Sequence, residues 1–190
     1  MTTSHWARFT SHQFERVAPV MARIMEHPWR YRLYDPVKTL KAAGLQVGQH
    51  VLEVGCGTGF FTIPAARLTG DTGCVHSIDL YRRAIEVVTQ KVQEASLSNV
   101  KLTLANALAT GLPDNGFDLI LLLGVVPSPT LPLDKLLPEM HHLLKPGGEL
   151  AVWTVFPWGL CASVNRSKLF VHAGKESGVH RFRKLNATGR

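Results

Sequence analysis

The stretch Val51-Leu52-Glu53-Val54-Gly55-Cys56-Gly57-Thr58-Gly59 decides how this chain is read. A short run of β-branched and leucine residues passes directly into three glycines, each separated by one residue, and a helix-compatible segment opens at Phe60. Where a buried strand turns into a helix through such a loop, the backbone can pass close to a ligand, because glycine has no side chain to block it. The helix start adds unpaired N–H groups and the positive end of its dipole, which suit a carboxylate or a phosphate. On its own the loop leaves the ligand undecided.

Two features narrow the choice. The spacing is G-x-G-x-G, not the G-x-G-x-x-G of dinucleotide binders, and the bulky Phe61-Thr62 follow where a third glycine could close the turn, which disfavours a pyrophosphate. Asp79 ends the next apolar run, 20 residues beyond Gly59, where a carboxylate can accept hydrogen bonds from both hydroxyls of a ribose. The competing reading of Asp79 is a helix N-cap ahead of Tyr81. Loop and acid together point to a nucleoside-containing ligand.

Outward from the loop, strand-like runs at 50–54, 74–79, 100–106, 117–124 and 149–156 alternate with helical patterns at 60–68, 81–95 and 133–144 and a short connection at 107–113. That alternation predicts a mostly parallel sheet with helices on both faces. In the second helix Ala84, Ile85, Val88, Val92 and Ala95 recur at three- and four-residue steps, opposite Arg82, Arg83, Gln90, Lys91 and Glu94, so this stripe faces the core. Lys145-Pro146-Gly147-Gly148 is expected to end the helix over 133–144 and open the fifth strand, with glycine in the positive-φ position of a helix C-terminus.

Four segments now carry a family likeness: residues 51–62, Ser77-Ile78-Asp79-Leu80, Leu112-Pro113-Asp114-Asn115-Gly116-Phe117-Asp118, and Leu143-Leu144-Lys145-Pro146-Gly147-Gly148. In order and spacing they resemble the successive motifs of class I S-adenosylmethionine (SAM)-dependent methyltransferases, especially the group that includes ubiquinone/menaquinone biosynthesis methyltransferases, over roughly residues 36–156. The resemblance implies a Rossmann-like, doubly wound α/β fold of six or seven strands and SAM as cofactor, with S-adenosylhomocysteine as product. It implies that Glu53 organises the loop, that Gly55, Gly57 and Gly59, with Cys56 among them, admit the methionine part, and that Asp79 holds the ribose. Leu80 would then pack on adenine, Asn106-Ala107 would flank its edge, and Gly124 would end the fourth strand facing the reacting methyl. Asn106 departs from the aspartate of many relatives; its carbonyl can accept from the adenine amino group, or its amide can donate to a ring nitrogen.

The same resemblance implies methyl transfer by in-line displacement, in which the protein mainly aligns the reacting atoms. Should the acceptor be a hydroxyl or an activated ring carbon, His27, Tyr31 and Tyr34 are the candidate bases, although Trp29 and Tyr31 can equally be read as packed apolar side chains. The segment Gly124-Val125-Val126-Pro127-Ser128-Pro129 lacks the N/D-P-P-Y motif of base and amino-group methyltransferases, which weighs against nucleobase methylation. A small-molecule acceptor, quinone-like, lipid-derived or otherwise apolar, is the leading expectation. An RNA- or protein-directed methyltransferase, a non-catalytic SAM-binding module and a nicotinamide-dependent oxidoreductase are the alternatives.

The 190 residues, 45% of them hydrophobic, suit one domain: an N-terminal helical cap or lid over 1–35, a core over 36–156, and a C-terminal helix and edge strand over 157–190. A helix near 162–173 and a strand near 179–184 leave little room for a two-strand antiparallel ending, so the sheet could stop at six strands, with an edge that a second copy of the chain would cover as a homodimer. Residues 185–190 are expected to be disordered. No apolar run approaches the roughly 18 residues of a membrane span, and the first residues lack the apolar stretch of a secretory signal, so a cytoplasmic location is expected. Cys56, Cys74 and Cys161 stand far apart and are expected to be reduced. No metal is expected, since His141-His142 are adjacent and no Cys or carboxylate stands at ligand spacing. The net charge of +7 is concentrated at the end, where residues 161–190 carry 7 basic groups against 1 acidic. That tail reads as a solvated end, or as a contact for phosphates or an anionic surface.

Overall fold

A computed structural model describes residues 34–128, 130–154 and 159–186. Apart from Tyr34 and Asp35, the expected N-terminal cap, including His27 and Tyr31, lies outside the described residues, as do residues 187–190 of the tail. The first described helix, α1 (Pro36–Ala42), starts where Asp35 accepts hydrogen bonds from the backbone N–H groups of Val37 and Lys38, and Pro36 supplies the fixed φ of a first helical position.

The elements that follow are β1 (His50–Val54), α2 (Thr62–Thr69), β2 (Cys74–Asp79), α3 (Arg82–Glu94), β3 (Val100–Leu104), β4 (Phe117–Leu123), α4 (Leu133–Leu143), β5 (Leu144–Trp153), α5 (Leu160–Arg166), β6 (Phe170–Glu176) and β7 (Val179–Lys184). They build one seven-stranded sheet in the order β3-β2-β1-β4-β5-β7-β6. The pairings from β3 through β5 are parallel, and β7 runs antiparallel to both β5 and β6.

Alternate residues of the central strands enter two separate cores, as the two-residue period of a strand requires. Leu52, Val54, Ile120, Leu122, Leu150 and Val152 pack with Leu136, Leu137 and Met140 of α4 and Val164 of α5. On the other face Val51, Val75, Leu119, Leu121 and Ala151 pack with Leu40 of α1 and Ala65 and Ala66 of α2. The sheet is thus covered by helices on both faces, as expected. The stripe of α3 turns inward, but only Val88 is fully buried, because this helix lies over β2 and the edge strand β3.

Three expectations need correction. The C-terminal helix is shorter than read and lies earlier, at Leu160–Arg166, so the residues assigned to its second half instead form β6. The sheet therefore has the full two-strand antiparallel ending and seven strands. Leu144 follows α4 directly in extended conformation, and Lys145-Pro146-Gly147-Gly148 is a bulge within β5: Phe117 pairs with Leu144, but Leu119 already pairs with Glu149. The positive φ of Gly147, +77°, serves that bulge and not a helix end. Finally β3 stops at Leu104, two residues early, because Asn106 turns the chain: its Oδ1 accepts from Leu108 N, and Asn106 bridges to Ala109.

Candidate cofactor and active site

The chain order reverses on either side of β1, which lies between β2 and β4. In open parallel sheets such a switch point opens a crevice at the carboxyl ends of the strands. The glycine loop leaves β1 at this point. Gly55 N and Cys56 N both donate to Ile78 O, at 2.8 and 3.2 Å, and Gly59 N donates to Cys56 O at 2.8 Å. Gly55 sits at φ +74°, and a Cβ there would lie 2.5 Å from Val125 Cγ1, so the loop is shaped against the segment following β4. From α3, Lys91 Nζ donates to Thr58 O at 2.9 Å.

Glu53 is buried beneath the loop. Its Oε2 accepts from Thr62 Oγ1 and from Ser77 Oγ, each at 2.6 Å, which ties the start of α2 and the middle of β2 to β1. Burial raises its pKa from the ordinary carboxylate value against the pull of these two hydroxyls, and the nearby Asp79 adds to the rise. The local fold thus fixes Glu53 as an internal tie for the loop. Burial likewise pushes the Cys56 thiol far up, so this cysteine is an unreactive part of the loop at neutral pH.

Asp79, at the end of β2, is 8% exposed and uses both carboxylate oxygens: Oδ2 accepts from Gly57 N and Oδ1 from Tyr81 N, both at 3.0 Å. The capping contact toward Tyr81 is therefore present, and the same carboxylate also braces the glycine loop. Each oxygen has a further lone pair with which to accept a ligand hydroxyl. Leu80 beside it is 56% exposed, an apolar surface at the lip of the crevice. Asn106 follows the end of β3 and is exposed, whereas Ala107 turns its methyl into the core.

At the end of β4, Gly124 N donates to Trp153 O at 2.8 Å, and a Cβ on Gly124 would lie 3.5 Å from the Trp153 ring. Tyr34 meets that indole edge to face, with ring centroids 5.3 Å apart. Glu53, the glycines, Asp79, Leu80 and Asn106 thus gather at the carboxyl ends of β1 to β3, with Gly124, Trp153 and Tyr34 at the ends of β4 and β5. Lys91 and Trp153 were absent from the sequence-derived site, and the approach of Val125 to Gly55 was not foreseen, since each meets the loop or strand ends only through the fold. An open groove of about 420 Å³ lined by Gln49, Asp118, Lys145 and Arg183 lies at the opposite, amino end of the sheet, away from these groups.

Sheet, switch point, glycine loop and strand-end acid define a domain built to hold a nucleoside-bearing cofactor. A family model described as "Methyltransferase domain" matches residues 45–175. The demethylmenaquinone methyltransferase of Geobacillus sp. (strain WCH70) is 35% identical over 147 residues, covering 72% of this chain and 61% of that protein. The enzyme of the same name from Listeria monocytogenes serovar 1/2a is 35% identical over 144 residues, covering 74% and 56%. The chain therefore spans about three fifths of the length of the curated relatives it matches. A SAM-dependent methyltransferase from Aquifex aeolicus superposes with a TM-score of 0.73 at 24% identity, over 87% of this chain and 97% of that one. The [4+2]-cyclase SpnF superposes at 0.70 and 22% identity, over 86% and 72%. At these identities the structural likeness is one of fold. The chain belongs to the class I SAM-dependent methyltransferase family.

Proposed function

We propose that the chain transfers a methyl group from SAM to a small, apolar acceptor of the demethylmenaquinone kind. The Asp79 carboxylate carries this reading: two backbone N–H groups fix it at the end of β2 beside exposed Leu80, where it fits a ribose and an adenine face. SAM supplies an electrophilic methyl on a positively charged sulfur. The residues present fit this group. Asp79 accepts from the ribose hydroxyls through its remaining lone pairs, and Asn106, whose Oδ1 already serves Leu108 N, offers its amide to the adenine edge. The glycine loop leaves space for the methionine part. Gly124, Trp153 and Tyr34 frame the acceptor side, so Tyr34 is the base candidate within the described residues.

The named relatives support the acceptor class. An RNA-directed reading draws less support, because the basic C-terminal strand is partly held by the sheet: Arg181 and Arg183 both reach Glu149, and Lys184 Nζ donates to Leu144 O at 2.6 Å. The same reading places the chain in the cytoplasm, in keeping with free cysteines at 56, 74 and 161. Among the described residues no helix is long and apolar enough to cross a membrane.

Calorimetric titration of SAM and S-adenosylhomocysteine, together with transfer of a labelled methyl group to a short-chain demethylmenaquinone, tests the proposal. Both nucleosides are expected to bind, and Asp79→Ala should weaken them by about 100-fold, the loss of two hydrogen bonds to a charged group. Undiminished binding by Asp79→Ala would overturn the ribose assignment. Labelling of RNA with none of the quinone would overturn the acceptor.

A further inference from the structure

Far along the sheet from the glycine loop, three side chains that are distant in sequence converge. Cys161 comes from α5, His172 from β6 and His180 from β7. Cys161 Sγ lies 3.2 Å from His180 Nδ1, and His180 Nδ1 lies 3.4 Å from His172 Nε2. One ligand atom from each residue lies within 4.8 Å of those of the other two. The hairpin register explains the approach: His172 pairs with Phe182, and His180, two residues from Phe182 along β7, presents its ring on the same face.

The two separations to His180 Nδ1 suit a small tetrahedral ion. Zinc bonds of about 2.3 Å to sulfur and 2.0–2.1 Å to nitrogen hold neighbouring ligand atoms roughly 3.3–3.6 Å apart. Hydrogen bonding alone serves the cluster less well, since His180 Nδ1 offers one proton or one lone pair to be divided between a thiol and a second imidazole. His180 is 8% exposed, and its Nε2 is buried with no partner among the described residues, so the polar chemistry of the ring is directed through Nδ1 into the cluster. The cluster contains no carboxylate, which selects against hard oxygen-seeking ions such as calcium or magnesium and for an ion that bonds thiolate and imidazole.

We propose that Cys161, His172 and His180 form a three-ligand site for a zinc-class divalent cation, which clips α5 to the β6–β7 hairpin. His172 is exposed and Cys161 half-buried, so the fourth position faces water. Binding forms one S–metal and two N–metal bonds and releases the thiol proton to solvent. In the sheet, β4 and β5 stand between the glycine loop after β1 and this cluster, and His180 pairs with Val152, one residue from Trp153.

The test uses the untagged full chain, stripped with a chelator and titrated with zinc chloride, with cobalt(II) as a spectroscopic substitute. One equivalent is expected to bind, with proton release visible as a buffer-dependent heat, and cobalt should give a thiolate-to-metal charge-transfer band. Replacing the exposed ligand, His172→Ala, should lower zinc affinity by about tenfold or more while circular dichroism stays unchanged. Cys161→Ser should abolish the cobalt–thiolate band, whereas Cys74→Ser should keep it. Absence of stoichiometric zinc binding, an affinity unchanged in both ligand variants, or a band lost with Cys74 would each overturn the site.

Discussion

At Gly55 two constraints coincide. The backbone is left-handed, and the place of a methyl group is filled by Val125. Gly55→Ala should therefore cost about 1–3 kcal/mol in urea melts, part of it steric strain and part backbone strain. Adding Val125→Ala should recover the steric part; if the double variant is no more stable than additivity predicts, the contact with Val125 is not what the alanine offends. The glycine and Asp79 were legible because a loop and a strand end are local patterns. Val125 was not, since it stands 70 positions from Gly55 and is joined to it only through the β1–β4 pairing. Asp79 was read as either a ribose acceptor or a cap; the fold shows the capping contact to Tyr81 N and a second bond from Gly57 N, which leave the carboxylate further lone pairs.

Among the elements, β2 carries a pH dependence. His76 is 6% exposed, with Nε2 2.8 Å from Thr103 Oγ1 of β3, and burial, then Lys101, hold its pKa down at about 4. Above pH 6.5 the imidazole is neutral in folded and unfolded chain alike, and its full contribution is present. As the pH falls from 6.5 toward about 4, the unfolded chain takes up a proton that the folded one refuses, and stability is lost, by at most about 3 kcal/mol. His76→Gln, which keeps a partner for Thr103 but does not titrate, should flatten that part of the curve; equal slopes for both proteins in denaturant titrations would refute this. Strands β1 and β2 were read to the residue from their apolar runs, since buried parallel strands are continuous in hydrophobicity. Strand β6 was missed, because its apolar start at Phe170-Val171 was absorbed into the expected helix over 162–173, and the rest, an edge that carries Lys175 and Glu176, is mostly exposed.

For the molecule as a whole, the antiparallel ending is part of the core that α4 and α5 cover and not an appendage. Phe182 is fully buried beside Leu150 and Phe170. Phe182→Ala is expected to cost about 3–5 kcal/mol and to lower the midpoint of one cooperative transition. A biphasic melt, with the parallel part of the sheet persisting, would show instead that the hairpin folds as a separate unit. The fold class was legible from the alternation of elements, and the glycine loop and strand-end acid that meet at the switch point were legible as local motifs. The Cys161–His172–His180 cluster was invisible at that level: the three residues share no spacing, and only the hairpin register with α5 laid across it brings them together.

The hydrogen bonds of the glycine loop also bear on selectivity. Polyphosphates are gripped by loops whose amides point outward, ready to donate. Here the amides of Gly55, Cys56, Gly57 and Gly59 are already bound to Ile78, Asp79 and Cys56, and the carboxylate at the centre repels anions. Such a loop should exchange its amide hydrogens slowly even without ligand, and it discriminates by refusal: a ligand bearing hydroxyls and a cationic centre meets fixed acceptors, while a nucleoside triphosphate meets a surface with few donors left to give.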